Sequence, residues 1–295
     1  MRLRSSIEVR RCRPLLGTFV DVACQGSSDD IDCAFAAIEK VQRLMSFHDV
    51  ASDVARMNRD ALHEPVKVDP WTCRVLKCAQ EFSSKSDGIF DITIGRQLVN
   101  WGYLPGSDKR FGPRGNWKDV VLDDECNIRF RRSVIVDLGG IAKGFAVDRA
   151  VEVLKNNGVT AGIVNAGGDL RTFGAPSRLI HVRHPAEPML FTGAVRLRDR
   201  ALATSGVYFQ CRKFRGNYVG PLVDGRTGRS ARELISVSVA AAECMTADAL
   251  TKIVFALREK AADLIAQYGA DALLIERDGA RSWMFHSLCD TRDRN

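Results

Sequence analysis

Residues Val134 to Gly174 read VIVDLGGIAKGFAVDRAVEVLKNNGVTAGIVNAGGDLRTFG, and the fold turns on this stretch. The β-branched run Val134-Ile135-Val136 predicts a buried strand that stops at Asp137 and the Gly139-Gly140 pair. Val147, Ala150, Val151 and Leu154 recur at helical spacing, so a helix is expected from Phe145 onward, with Lys155 in its last turn and Gly158 ending it. A second strand, Ala161 to Asn165, runs into Gly167-Gly168 and then Asp169. The unit thus holds two glycine turns, each beside a carboxylate, with Lys143 between them. Glycine pairs let backbone approach a ligand closely, and free N–H groups at a helix start favour anions. A phosphate-bearing ligand is the first expectation.

Working outward toward the N-terminus, Leu15 to Cys24 alternates as a strand with Gly17 early in it. Asp29 to Met45 is an amphipathic helix, since Ile31, Phe35, Ile38, Val41 and Met45 share one face. Ser52 is placed to cap a short helical turn, and Asp69-Pro70 starts a helix that runs to about Ser84 and ends at Asp87-Gly88. Ile89 to Gly95 reads as a strand, Pro105 to Gly115 as a surface loop, and Val120–Leu122 with Ile128–Phe130 as a hairpin. Toward the C-terminus, strands are expected at Leu179–Val182, Phe191–Leu197 and Ala201–Thr204, with Ser205-Gly206 interrupting the run. A strand at Ile235–Ala240 follows, then a helix over Ala247–Leu257 capped by Thr246, with Asp248 in its first turn. The chain closes with a helix near Ala261–Gln267 and strands at Ala272–Glu276 and Trp283–His286. This irregular alternation predicts an α+β fold of mixed β-sheets with packed helices, formed by residues 1–295 as a single domain whose ligand cleft is built around 134–174.

The composition is that of a soluble globular chain of 295 residues, 45% hydrophobic and 27% charged. The net charge of +7 is carried by scattered arginines, which suits an anionic small molecule; no nucleic-acid partner is expected. The N-terminus lacks an apolar signal core, and no apolar run approaches membrane-spanning length, so no transmembrane segment and a cytoplasmic location are expected. Nine cysteines, an odd number without a CxxC pair, read as reduced thiols. GxGxxG and GxxxxGK[ST] are both absent, so neither an ordinary NAD enzyme nor a P-loop NTPase is expected.

Eight segments carry a more specific signal through their order: LGTFVDV from Leu16, MSFHDVASDVARMN from Met45, DGIFDITIGRQLVNWGY from Asp87, DLGGIAKGFAVDRAVEVLKNNG from Asp137, VNAGGDLRTFG from Val164, ALATSGVYFQ from Ala201, DGRTG from Asp224 and SVSVAAAECMTADAL from Ser236. Through these segments the chain resembles the ApbE family of FAD:protein FMN transferases over nearly its whole length. The resemblance implies an ApbE-like fold, FAD as substrate, and transfer of its FMN half to a Ser or Thr hydroxyl of a target flavoprotein with release of AMP. It implies FAD contacts at His48, Phe90, Asp91, Lys143, Asp169, Thr204 and Ser205. It further implies a Mg²⁺ ion between Ala142 and Asp248, with Asp248, Lys252 and Lys143 at the reacting centre. A main-chain carbonyl and a carboxylate are oxygen ligands that suit a hard cation.

Three positions depart from the family's pattern. Lys252 stands where the DALxT motif has its threonine, and the neighbouring Thr251 would face elsewhere on a helix. A lysine one turn from Asp248 would pair with it, or occupy the metal's place. Pro221 stands where the HxxDPRTG motif has a histidine able to accept the hydroxyl proton. His48 replaces an aromatic residue that would stack on flavin, at a loss of area. These departures leave two alternatives beside the transferase: an FAD-binding carrier or accessory protein without transferase chemistry, and an FAD pyrophosphatase.

Overall fold

The computed structural model describes residues 8–106, 115–187, 189–206, 211–230, 236–276 and 281–284. Most of the expected Pro105–Gly115 loop, together with Ile235 and the residues from 285 onward, lies outside them. The chain opens as a hairpin, β1 (Val9–Leu15) and β2 (Thr18–Cys24), turned by Leu16 and Gly17 at φ of 55° and 70°. The strand expected from Leu15 to Cys24 is present as β2, starting at Thr18, and the preceding β1 was not expected; a two-residue loop with both φ values positive reverses the chain between them.

Local signals set the first helices. Ser27 caps α1 (Ser28–Met45) through a capping box with Asp30, Ser52 caps α2 (Asp53–Asp60), and after β3 (Val66–Lys67) Asp69 caps α3 (Pro70–Lys85). The strand expected at Ile89–Gly95 does not form. That segment is an irregular buried wall leading into α4 (Gly95–Asn100). A small sheet follows, in which β4 (Val120–Leu122) and β3 flank β5 (Asn127–Phe130). A disulfide joins Cys73 of α3 to Cys126 in the turn before β5, correcting the expectation of reduced thiols throughout.

Val134–Val136 is likewise extended and buried without being a strand. Its backbone is satisfied by the Asn58 side chain, which donates to Val136 O at 2.8 Å and accepts from Val136 N at 2.7 Å, and by a single parallel bridge between Ile94 and Ile135. The two apolar runs that read as strands therefore lean on each other and on a side chain instead of joining a ladder.

From there the chain builds α5 (Ala142–Asn156), β6 (Gly162–Ala166), β7 (Asp169–Phe173), the hairpin β8 (Arg178–Arg183) and β9 (Phe191–Leu197), and β10 (Ala201–Gly206). Ser205 and Gly206 extend β10, paired with Val237 and Ser236, and do not interrupt it. A short hairpin, β11 (Arg212–Phe214) and β12 (Asn217–Val219), precedes β13 (Ser236–Ala241), α6 (Cys244–Leu257), α7 (Ala262–Gln267), β14 (Asp271–Ile275) and β15 (Arg281–Met284). Among the described residues, eight strands form one antiparallel sheet in the order β1-β2-β6-β7-β10-β13-β14-β15.

One face of this sheet carries α5 and α6, whose Phe145, Val147, Val151, Leu250 and Val254 pack with Phe35 and Ile38 of α1. Leu170, Leu202, Ala240 and Leu273 on the other face are covered by Val182, Val195 and Leu197 of the β8–β9 hairpin. The fold is thus α+β, as expected from the sequence.

Candidate functional site

The two glycine turns sit side by side because β6 and β7 are joined by one of them and α5 starts at the other. Gly167 and Gly168, at φ of 65° and 106°, reverse the chain between β6 and β7 in a conformation L side chains rarely adopt. Next to this reversal α5 and α6 cross closely enough that a Cβ on Gly144 would lie 2.4 Å from the Cys244 carbonyl. That approach brings the Gly144 N–H to within 3.1 Å of Asp248 Oδ2.

α6 does not start as the sequence suggested. It begins at Cys244, before Thr246, and its first N–H groups are received by Asp148 of α5, at 2.9 Å from Cys244 N and 2.8 Å from Met245 N. Asp148 also accepts from Arg171 at 2.7 Å. Asp248 consequently lies in the second turn of α6, fully buried, and not in the dipole-favoured first turn.

The site is layered. Beneath the surface lie two carboxylates, Asp248 at 0% and Asp169 at 2% exposure, and each holds a lysine that lines the cavity above. Lys143 Nζ donates to Asp169 Oδ2 at 2.5 Å, and Lys252 Nζ donates to Asp248 Oδ1 and, at 3.0 Å, to the Asp248 carbonyl. Burial acts to push Asp248 up, but the charges of Lys252 and Lys143 outweigh it and hold the carboxyl below its ordinary value. Asp169 is shifted up, by burial and by the neighbouring charge of Asp248, against the pull of Lys143. Burial works against the Lys143 charge, yet Asp169 and Asp248 more than offset it and raise its pKa, so the ammonium is firmly charged.

Above this floor opens a cavity of about 1490 Å³. Gly139, Gly140, Ala142, Lys143, Gly167 and Gly168 supply one wall, Thr204, Ser205 and Lys252 a second, and Phe90, Asp91, His48 and Pro221 a third. All ten residues expected at the site therefore come together, eight lining the cavity and two, Asp169 and Asp248, behind the lysines.

Several side-chain atoms in this group are already partnered. Asp91 Oδ1 accepts from the Thr93 N–H and hydroxyl, both at 2.7 Å, and its Oδ2 accepts from Trp117 N at 3.3 Å, which fixes the irregular wall. Thr204 pairs with Ser238 at 2.8 Å, and Ser205 with Thr251 at 2.7 Å. Thr251 thus turns to β10 and leaves the Asp248 carboxylate to Lys252.

The expected metal does not fit this donor set. Asp248 Oδ1 is taken by an ammonium, and among the described residues no group of three or more His, Cys, Asp or Glu side chains is placed to hold an ion. Sequence reasoning also missed residues that line the cavity. Phe47 supplies an aromatic ring beside His48, at 6.4 Å between centroids, while Asp137, the carboxylate expected beside the first glycine turn, does line the cavity. Near the rim, Arg212 lies over the Tyr103 ring at 4.8 Å, and His181 meets Phe191 at 5.0 Å. The Met45-Ser46-Phe47 run held the only available signal for the first, and the others depend on long-range packing.

Known proteins share both the sequence and this architecture. The FAD:protein FMN transferase of Vibrio cholerae is 28% identical over 254 residues, spanning 78% of this chain and 74% of that protein. The FAD:protein FMN transferase of Treponema pallidum is 28% identical over 278 residues, spanning 83% and 76%. The crystal structure of the ApbE protein from Thermotoga maritima superposes with a TM-score of 0.83 at 29% identity, covering 94% of this chain and 96% of that one. The apo flavinyl transferase ApbE of Pseudomonas stutzeri shares the fold, with a TM-score of 0.81 at 21% identity. The family model described as the ApbE family matches residues 16–274, most of the sequence and every wall of the cavity, and the chain belongs to that family.

Proposed function

We propose that this chain is an FAD:protein FMN transferase. The observation that carries the reading is the pair of ammoniums, Lys143 and Lys252, anchored on buried carboxylates at the floor of a cavity walled by two glycine turns. At about 1490 Å³ the cavity exceeds the roughly 300–1,000 Å³ of ordinary small-molecule sites and suits an extended dinucleotide together with an acceptor side chain. The pyrophosphate sits on the two lysines, and Phe90, Phe47 and His48 offer apolar and aromatic surface to the flavin.

In the reaction, the acceptor Ser or Thr oxygen attacks the FMN phosphorus. A new P–O bond forms, the bond from that phosphorus to the bridging oxygen breaks, and AMP leaves with that oxygen. Phosphoryl transfer of this kind depends on positioning and on neutralising the equatorial oxygens more than on covalent chemistry, which is what fixed ammoniums provide. With Pro221 in the wall no imidazole stands at that position, and the hydroxyl proton passes to water.

Pro221 also favours a second reading, an FAD-binding homologue that holds the dinucleotide without transferring it. One experiment separates the two. Purified chain is incubated with FAD and an acceptor flavoprotein domain, and covalent flavin and AMP are followed. Covalent flavin with equal AMP supports the transferase. Bound FAD with neither product establishes the carrier, and AMP with free FMN establishes a pyrophosphatase. The acceptor is a flavoprotein of the compartment this chain occupies, which we place in the cytoplasm. No helix among the described residues is long and apolar enough to cross a membrane.

A further inference from the structure

We propose that the Lys252 ammonium takes the place of a divalent cation in this chain, so that the pyrophosphate of FAD is bound without magnesium. The inference rests on the FAD site proposed above and concerns how that site neutralises charge.

Every Asp248 oxygen already has a donor. Oδ1 accepts from Lys252 Nζ, Oδ2 from the Gly144 N–H at 3.1 Å, and the main-chain oxygen from Lys252 Nζ at 3.0 Å and the Thr251 hydroxyl at 2.7 Å. A magnesium ion would need carboxylate oxygen at about 2.1 Å. It would therefore stand where the ammonium stands, and a dication beside a fixed cation is repelled.

The lysine is also built into the fold. Residues 248 and 252 lie one turn apart on α6, so the helix itself delivers the side chain to its partner. The stem runs over the first glycine turn, where a Cβ on Gly140 would lie 3.5 Å from Lys252 Cε and 3.8 Å from Phe90 Cε2, and the side chain is only 17% exposed. A threonine at this position would end short of that turn and offer a hydroxyl oxygen in place of a charge. The cavity presents two ammoniums, Lys143 and Lys252, each held in place by its carboxylate, as fixed donors to the pyrophosphate oxygens.

The test is FAD binding, read from flavin fluorescence in a titration of the full chain, first in EDTA and then with millimolar magnesium. Wild type is expected to give the same Kd within about twofold in both. Lys252→Thr should bind about tenfold more weakly in EDTA, the loss of one charge-assisted contact, and recover with magnesium. Lys252→Arg, which keeps both the charge and the partner, should retain metal-free binding and guards against a fold defect in the threonine variant. Wild type binding at least tenfold tighter with magnesium, or Lys252→Thr binding as tightly as wild type in EDTA, overturns the proposal. Absence of FAD binding by wild type under both conditions overturns the FAD reading itself and this inference with it, an outcome distinct from magnesium-dependent binding.

Discussion

Asp137 ends the extended segment before the first glycine turn and faces the cavity, where burial pushes its carboxyl up to about 6. The Gly139 N–H at 3.2 Å and the nearby His48 act in the opposite direction without cancelling it. The folded state thus keeps a proton that the unfolded chain releases near pH 3.8, so the contribution of this group to stability falls as pH rises from about 4 to about 6 and stays low above that. Asp137→Asn mimics the protonated form. It should match wild type below pH 4 and gain about 1–3 kcal/mol by pH 7, since a tenfold change in proton affinity corresponds to about 1.4 kcal/mol. Chemical denaturation of both proteins across pH 4–8 checks this, and a gap independent of pH would refute it. At this scale the sequence identified residues by motif order: Lys143, Asp169, Asp248, Thr204 and Ser205 lie where the glycine turns and the small-polar run place them. It could not show that Asp137 is half-buried in the cavity wall or that Thr251 turns to Ser205, because both depend on which distant element packs nearby.

Among the elements, α6 has the most unusual start, for its N-terminal N–H groups are received from α5 and not from its own capping residue. Burial outweighs the partners of Asp148 and pushes its carboxyl up to about 6, so this arrangement is costly to form and costlier to break. Asp148→Ala should destabilise the fold by about 3–5 kcal/mol, as it leaves Arg171 and two helix N–H groups without their acceptor. Urea unfolding would show a lower midpoint with an unchanged slope. FAD affinity should fall as well, because Asp248 and Lys252 ride on the helix whose start is loosened. The starts of α1, α2 and α3 were readable to within a residue because their caps are local in sequence, while the length of α2 was not. The runs Val134–Val136 and Ile89–Gly95 read as strands without being so because β-branched residues signal burial in extended backbone, and whether a ladder forms depends on partners far along the chain. For the same reason Thr246 resembles the cap of α6, while the acceptor sits 96 residues away from Cys244.

For the whole molecule, the α+β class followed from the mixture of periodicities, but the order of the eight-stranded sheet did not, since its pairings join β2 to β6 and β7 to β10 across long intervals. Those pairings bring the two lysines, from α5 and α6, over carboxylates from β7 and α6. Two ammoniums and two carboxylates sum to zero, so the floor of the site adds nothing to the net charge of +7, which resides elsewhere on the molecule. The consequence is kinetic. A dianionic dinucleotide is drawn in from a distance by the surface field, which salt screens over roughly 8 Å at physiological ionic strength, and is held at contact by buried groups that salt screens far less. Stopped-flow mixing of FAD with the protein should show the association rate falling several-fold between about 20 and 300 mM salt while the dissociation rate changes little. The neutral floor thus separates how quickly the ligand arrives from how long it stays.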